Sequence, residues 1–202
     1  TAGGMMLLVP VSSPVKTLKE FIEWTKNYKG ALNYGSAGLG SGGHLAGELY
    51  NQMAGIKAQH IPYKGAGPAM IDLVGGQYQF GFAGMQGSQV QVRAGKLRAL
   101  AVGSGKRIPM LPEVPTVAES GLPGYEAYSW GGIVGPANMP KDVVQRLNRE
   151  IVDILKQKDV IDRLLGGGTV PTPSTPEEFT TLIRDEIKKW GEVVRAAKIT
   201  VD

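Results

Sequence analysis

The sequence predicts an α/β protein, a mainly parallel sheet flanked by helices. Three observations carry that reading. Short apolar runs alternate with amphipathic stretches along the first 125 residues. Glycine-rich turns follow several of the runs. Strand, helix, strand at this spacing gives βαβ units, whose crossovers leave neighbouring strands parallel.

The elements follow in order. Met5–Val11 is a continuous apolar run and reads as a buried strand. Thr17-Leu18-Lys19-Glu20 is a capping box opening a helix whose apolar side is Phe21, Ile22 and Trp24, with Gly30 as its stop. Strand Ala31–Tyr34 runs into the glycine-rich Gly35–Gly43, and a helix follows over His44–Met53. Ile56–Tyr63 is the next strand. Pro68 marks a helix start and Gly75-Gly76 its end. Strand Tyr78–Phe82, a helix over Gln86–Ala94 and strand Leu97–Gly103 complete this half, with Phe80 and Phe82 expected in the core.

From Ile108 to Gly124 four prolines punctuate the chain, which reads as a connection leaving the domain. Thr116-Val117-Ala118-Glu119 offers a second capping box there. A last strand candidate, Ser129–Val134, precedes helices over Pro140–Lys156, Val160–Leu165 and from Thr175 onward. The expected division is 1–125, a ligand-binding α/β domain, and 126–202, a crossover strand and helices of a second domain. No further strands are evident for those helices to cover, so their apolar stripes are expected to drive self-association, with Ser129–Val134 pairing across chains as an exposed edge.

Composition narrows the function. The net charge of +4 comes from 22 basic and 18 acidic residues spread along the chain, without the cluster that tracks a phosphate backbone. Nucleic acid is therefore not expected as a partner. The absence of cysteine excludes thiol chemistry and zinc–thiolate sites. No stretch approaches the roughly 20 apolar residues that span a bilayer. Only two histidines occur, His44 and His60, and no acid stands at ligand spacing from them, so neither a metal nor a cofactor is expected.

Asn33–Leu45 contains Gly38-x-Gly40-x-x-Gly43 between a strand and a helix. Unpaired amides at a helix N-terminus, with the helix dipole behind them, make an anion site. Ser36 and Ser41 add hydroxyl donors, and Ala37 lies between them and the glycines. A dinucleotide fold would place an acid at the end of the next strand, but His60-Ile61-Pro62-Tyr63-Lys64-Gly65 supplies none. A Walker loop lacks its Gly-Lys-Ser/Thr ending. An α/β nucleotide-binding enzyme using Gly38–Gly43 stays as the alternative, and a turn without ligand is the bland one. Tyr34-Gly35-Ser36-Ala37-Gly38 is close to a nucleophile elbow, with Tyr34 where its first glycine belongs. His44 reads as closing the loop and His60 as a half-buried structural residue. Lys64, after a strand end, either balances a ligand carboxylate or is a solvated surface lysine. Tyr63 and Gly65 flank it, and Ala83–Ser88 would form a third wall. Trp130 reads as packing or as lining a cleft.

Together Tyr34–His44, Pro62–Ala69 with Asp72-Leu73 and Gly75-Gly76, Arg93–Val102 and Leu111–Tyr125 resemble the Bug-type receptors of tripartite tricarboxylate transporters. The resemblance runs along nearly the whole chain. It implies a periplasmic binding protein of the type II Venus-flytrap kind, which performs no chemistry. It would capture a small carboxylate and deliver it to transporter membrane subunits. It further implies binding through Ser36, Ala37, Gly38, Gly40, Ser41, His44, Tyr63, Lys64, Gly65 and Ala83. Family members begin with a first domain carrying an opposing proline–glycine loop, and this chain is expected to hold the second domain complete and the first incomplete.

Overall fold

The computed structural model describes residues 1–200. Its spine is β1 (Ala2–Pro10), and the hydrophobic pattern explains why. Met5, Leu7 and Val9 enter one buried cluster, while Met6 and Leu8 enter another on the opposite side. A strand covered on both faces reads as one uninterrupted apolar run.

The helices α1 (Leu18–Lys26), α2 (Gly42–Ala54), α3 (Ala66–Val74) and α4 (Met85–Arg93) alternate with β2 (Asn33–Ser36), β3 (Gln59–Pro62), β4 (Phe80–Gly84) and β5 (Leu97–Val102). The sheet order is β3-β2-β4-β1-β5. β2 runs parallel to β3 and to β4, while β1 is antiparallel to both β4 and β5. β2 through β5 therefore all point one way, as the βαβ reading requires, and β1 is the reversed strand among them. Strand ends that share a direction bring the N-termini of the following helices to one edge of the sheet.

The capping box predicted at Thr17 is complete: Thr17 Oγ1 accepts from Glu20 N–H at 3.2 Å, and the Glu20 carboxylate accepts from Thr17 N–H at 3.3 Å. Phe21 and Ile22 are buried against Tyr50 and Phe80 in the first cluster, and Phe80 and Phe82 are core residues as expected.

Two expectations for residues 108–124 fail. The segment wraps the domain rather than leaving it. Ile108, Leu111 and Val114 join one cluster, Val117, Leu122 and Tyr125 the other, and Val102 exchanges backbone hydrogen bonds with Pro115 and Val117. No helix forms at Thr116 either. Thr116 Oγ1 accepts from Glu119 N–H at 3.1 Å, but Arg107 engages the Glu119 carboxylate, Gly121 has φ +135°, and Pro123 follows.

β1 continues past the main sheet. Its first residues pair with β6 (Tyr128–Trp130) and β7 (Thr169–Val170), both antiparallel. The strand expected over Ser129–Val134 is thus shorter, and it is already paired within the chain through Ala2–Gly4. β7, two residues long, escaped the sequence reading. The helices α5 (Lys141–Leu155), α6 (Lys158–Gly166) and α7 (Pro176–Ala196) follow as expected, α7 with a complete capping box at Thr175. No described helix is long and apolar enough to cross a membrane.

Candidate functional site

A cavity of about 270 Å³ lies at the edge where β2 and β4 end. Ser36, Ala37, Ser41, Gly42 and Gly43 line one side, Ala66, Ala69 and Met70 another, Ala83 and Gly84 a third. The N-termini of α2, α3 and α4 therefore all reach it. Those of α3 and α4 begin at Gly65 and Gly84 and have no side-chain cap, so their first amides are free for a ligand. Three helix dipoles aimed at one cavity favour an anion there.

The glycine loop is shaped for this approach, and each motif glycine has a reason in the backbone. Gly38 and Gly40 adopt φ +138° and +69°, left-handed values that disfavour a side chain. A Cβ on Gly43 would stand 2.5 Å from Phe82 O, so α2 could not sit this close to β4. Nothing in the loop requires a nucleotide, and β3 ends without the acid a ribose needs.

The loop's polar groups are tied to one another. Ser41 is the N-cap of α2: its Oγ accepts from His44 N–H at 3.4 Å and donates to Gly38 O at 2.7 Å. Gly40 N–H donates to His44 Nδ1 at 3.0 Å, so His44 does close the loop. Its ring stacks on His60 at 3.8 Å, and His60 Nε2 lies 2.6 Å from Ser36 Oγ. Burial holds both imidazoles below the usual histidine range, His60 at about 4 with the neighbouring His44 as the lesser cause. A base that weak, with no carboxylate orienting it, does not activate Ser36 as a nucleophile. Among the described residues no cluster of metal-ligating side chains occurs.

Of the predicted residues, Ser36, Ala37, Ser41 and Ala83 line the cavity, and Gly38, Gly40 and His44 build the loop behind it. Tyr63, Lys64 and Gly65 do not line it. Tyr63 donates its hydroxyl to Asp72 at 2.7 Å and its amide to Ser36 O, while Gly65 N–H donates to Ala37 O at 3.0 Å. They brace the β2 loop from below, and Lys64 is exposed. The sequence reading missed Met5, Met70 and Ser129 among the lining residues. Ser129 had no local signal, since only the pairing of β6 with β1 brings it there. Trp130 packs: its Nε1 donates to Glu186 at 3.3 Å and its ring meets Phe179 edge-on. A larger polar cleft of about 510 Å³, lined by Thr25, Lys26, Gly55 and Lys57, sits at the opposite edge. Helix C-termini surround it, and their dipoles oppose an anion.

Comparison with known proteins places this arrangement. Residues 1–199 match the tripartite tricarboxylate transporter family receptor. The chain belongs to that family. It is 35% identical over 190 residues to a UPF0065 protein from the tcbD-tcbE intergenic region of a Pseudomonas species, covering 94% of this chain and 56% of that protein. It is 35% identical over 195 residues to protein BugT of Bordetella pertussis, covering 95% and 60% respectively. The chain thus spans somewhat over half the length of these relatives. Among solved structures it resembles an R. palustris protein with adipate (TM-score 0.86, 33% identity, 98% of this chain and 67% of the other). It also resembles MatC from Rhodopseudomonas palustris with bound malate (TM-score 0.79, 32% identity, 96% and 67%). The family is one of solute-binding receptors rather than of enzymes, and its solved members share this mixed sheet flanked by helices.

Proposed function

We propose that this protein is a periplasmic receptor that captures a small carboxylate and passes it to the membrane subunits of a tripartite tricarboxylate transporter. The observation that carries this reading is the convergence of three helix N-termini, two of them uncapped, on one cavity. Free amides and the Ser36 and Ser41 hydroxyls suit a carboxylate, which accepts up to four hydrogen bonds and gains from each dipole. The cavity's volume suits a small acid better than a nucleotide, and related receptors have been solved with adipate and malate. The ligand-contacting set we favour is Ser36, Ala37, Ser41 and Ala83, with Gly38, Gly40 and His44 shaping the loop and Tyr63, Lys64 and Gly65 in support. Residues 1–125 form the gripping unit in this reading, and 126–202 the crossover and helices of a second one.

Titration calorimetry with a panel of dicarboxylates, tricarboxylates, acidic amino acids and aromatic acids, run beside NAD and ATP, tests the proposal. Binding to at least one acid and to neither nucleotide is expected. Micromolar affinity for a nucleotide, with no acid bound, would overturn it.

A further inference from the structure

The cavity is rich in donors and poor in acceptors, and that imbalance bears on which acids it admits. Among the described residues no charged side chain lines it. The carboxylates of the surrounding elements are occupied elsewhere. Asp72, on α3 between the lining residues Met70 and Leu73, accepts from the Tyr63 hydroxyl at 2.7 Å, and Glu48 on α2 accepts from the Tyr34 hydroxyl at 2.6 Å. Carbonyls of the lining are engaged as well. Ser36 O accepts from Tyr63 N–H, Ala37 O from Gly65 N–H and Ser41 O from Leu45 N–H, each at 3.0 Å. Leu73 O accepts from Gly76 N–H at 3.0 Å, Ala69 O from the Tyr78 hydroxyl, and Gly84 O from Ser88 Oγ at 2.7 Å.

What the cavity offers instead is the first amides of α3 and α4, set in a wall that Met5, Ala66, Met70, Leu73, Phe82 and Ala83 make largely apolar. A carboxylate gains from this arrangement. An ammonium does not. It loses hydration on entering, and burying a charge is costly unless an opposite charge or a full set of hydrogen bonds replaces the water. The lone pairs still open on the carbonyls and on the serine hydroxyls belong to neutral groups, and three helix N-termini turn their positive ends toward the same space.

We infer that the site selects against a charged amine: its ligands are carboxylates with an uncharged body, and acidic amino acids of the same length are excluded. The inference rests on the carboxylate reading above and narrows its substrate class. Met70 is the position from which the selection can be undone. It is half-buried, lines the cavity, and stands near the start of α3, where a glutamate suits the helix and matches methionine in length.

Calorimetry at pH 7 with two matched pairs tests this: adipate against 2-aminoadipate, and glutarate against glutamate. Within each pair the acids differ only by the amine. The amino acid of each pair should bind at least about tenfold more weakly, the low end for a charged group left without its hydrogen bonds. Met70→Glu supplies the missing anion and should narrow the adipate to 2-aminoadipate ratio at least about threefold, within the range of a partly exposed ion pair. Met70→Gln, polar but neutral, should leave that ratio within about twofold of the parent's. Melting curves establish that both variants are folded. Equal affinity within both pairs overturns the inference and leaves the carboxylate reading intact. A ratio that Met70→Glu does not narrow, or that Met70→Gln narrows as much, overturns the missing anion as its cause. Failure of the parent to bind either unsubstituted acid, or any other acid of the panel, overturns the carboxylate reading and this inference with it.

Discussion

At the scale of single residues, Ser41 has two tasks that a substitution can separate. It caps α2 and it lines the cavity. Ser41→Ala should lower stability by about 1 kcal/mol through the lost cap, and weaken carboxylate binding by about 1.5–3 kcal/mol if its hydroxyl also reaches the ligand. Gly40→Val should do more harm to binding, because φ +69° forces a β-branched residue to distort the loop. Melting curves and calorimetry on the two variants check this. Parent-like affinity in both would reduce the glycine loop to a turn. The chemistry of this loop was legible in the sequence, since serines and glycines between a strand and a helix announce an anion site. The roles of Tyr63 and Gly65 were not. Their position after a strand marks the right edge of the sheet, but only the fold reveals that their amides bond back to Ser36 and Ala37.

At the scale of elements, local signals succeeded where they were self-sufficient. The capping boxes at Thr17 and Thr175 begin helices because each glutamate carboxylate turns back to accept the cap residue's own amide, Glu20 taking the Lys16 amide as well. Thr116 and Glu119 have the same spacing, yet there the glutamate is shared between Arg107 and the Thr116 hydroxyl, and a glycine and a proline end the turn. β7 was illegible because two residues carry no periodicity; pairing with Ala2 and Gly3 makes it a strand. The docking of α7 on β6 likewise depends on a buried charge that no pattern reveals. Glu186 is 7% exposed and accepts from Trp130 Nε1 at 3.3 Å and Trp190 Nε1 at 2.7 Å, with Lys189 against its other oxygen. Because Ser129 of β6 lines the cavity, this contact also fixes one wall of the site. Glu186→Leu strips both indoles of their acceptor and should cost about 2 kcal/mol or more. A lower melting midpoint, with faster amide exchange confined to α7 and β6, is expected. An unchanged midpoint would mean that apolar contacts alone hold α7 in place.

At the scale of the whole molecule, the two halves bury their apolar residues very differently. The first 125 residues close two clusters around β1. α5 and α6 contain no buried residue, and α7 buries only Glu186 and Val193. Val143, Leu147 and Ile154 on α5, Ile187 on α7, and Ile133 and Val134 before them stay exposed, the last two at 74% and 76%. Burying such side chains stabilises by roughly 1.5–3 kcal/mol each, and a continuous exposed patch of them favours association. Pairing of β6 across chains, expected from the sequence, is not needed for this, because β6 is already bonded to β1. The helical stripes are the surface that remains. We therefore propose that this chain self-associates through α5 and α7, with the 1–125 sheet unchanged. Light scattering should give a mass that rises with concentration, and Leu147→Lys with Ile154→Lys should return it toward the monomer while the melting transition of the sheet domain holds. A monodisperse monomer at every concentration would show that these stripes tolerate water.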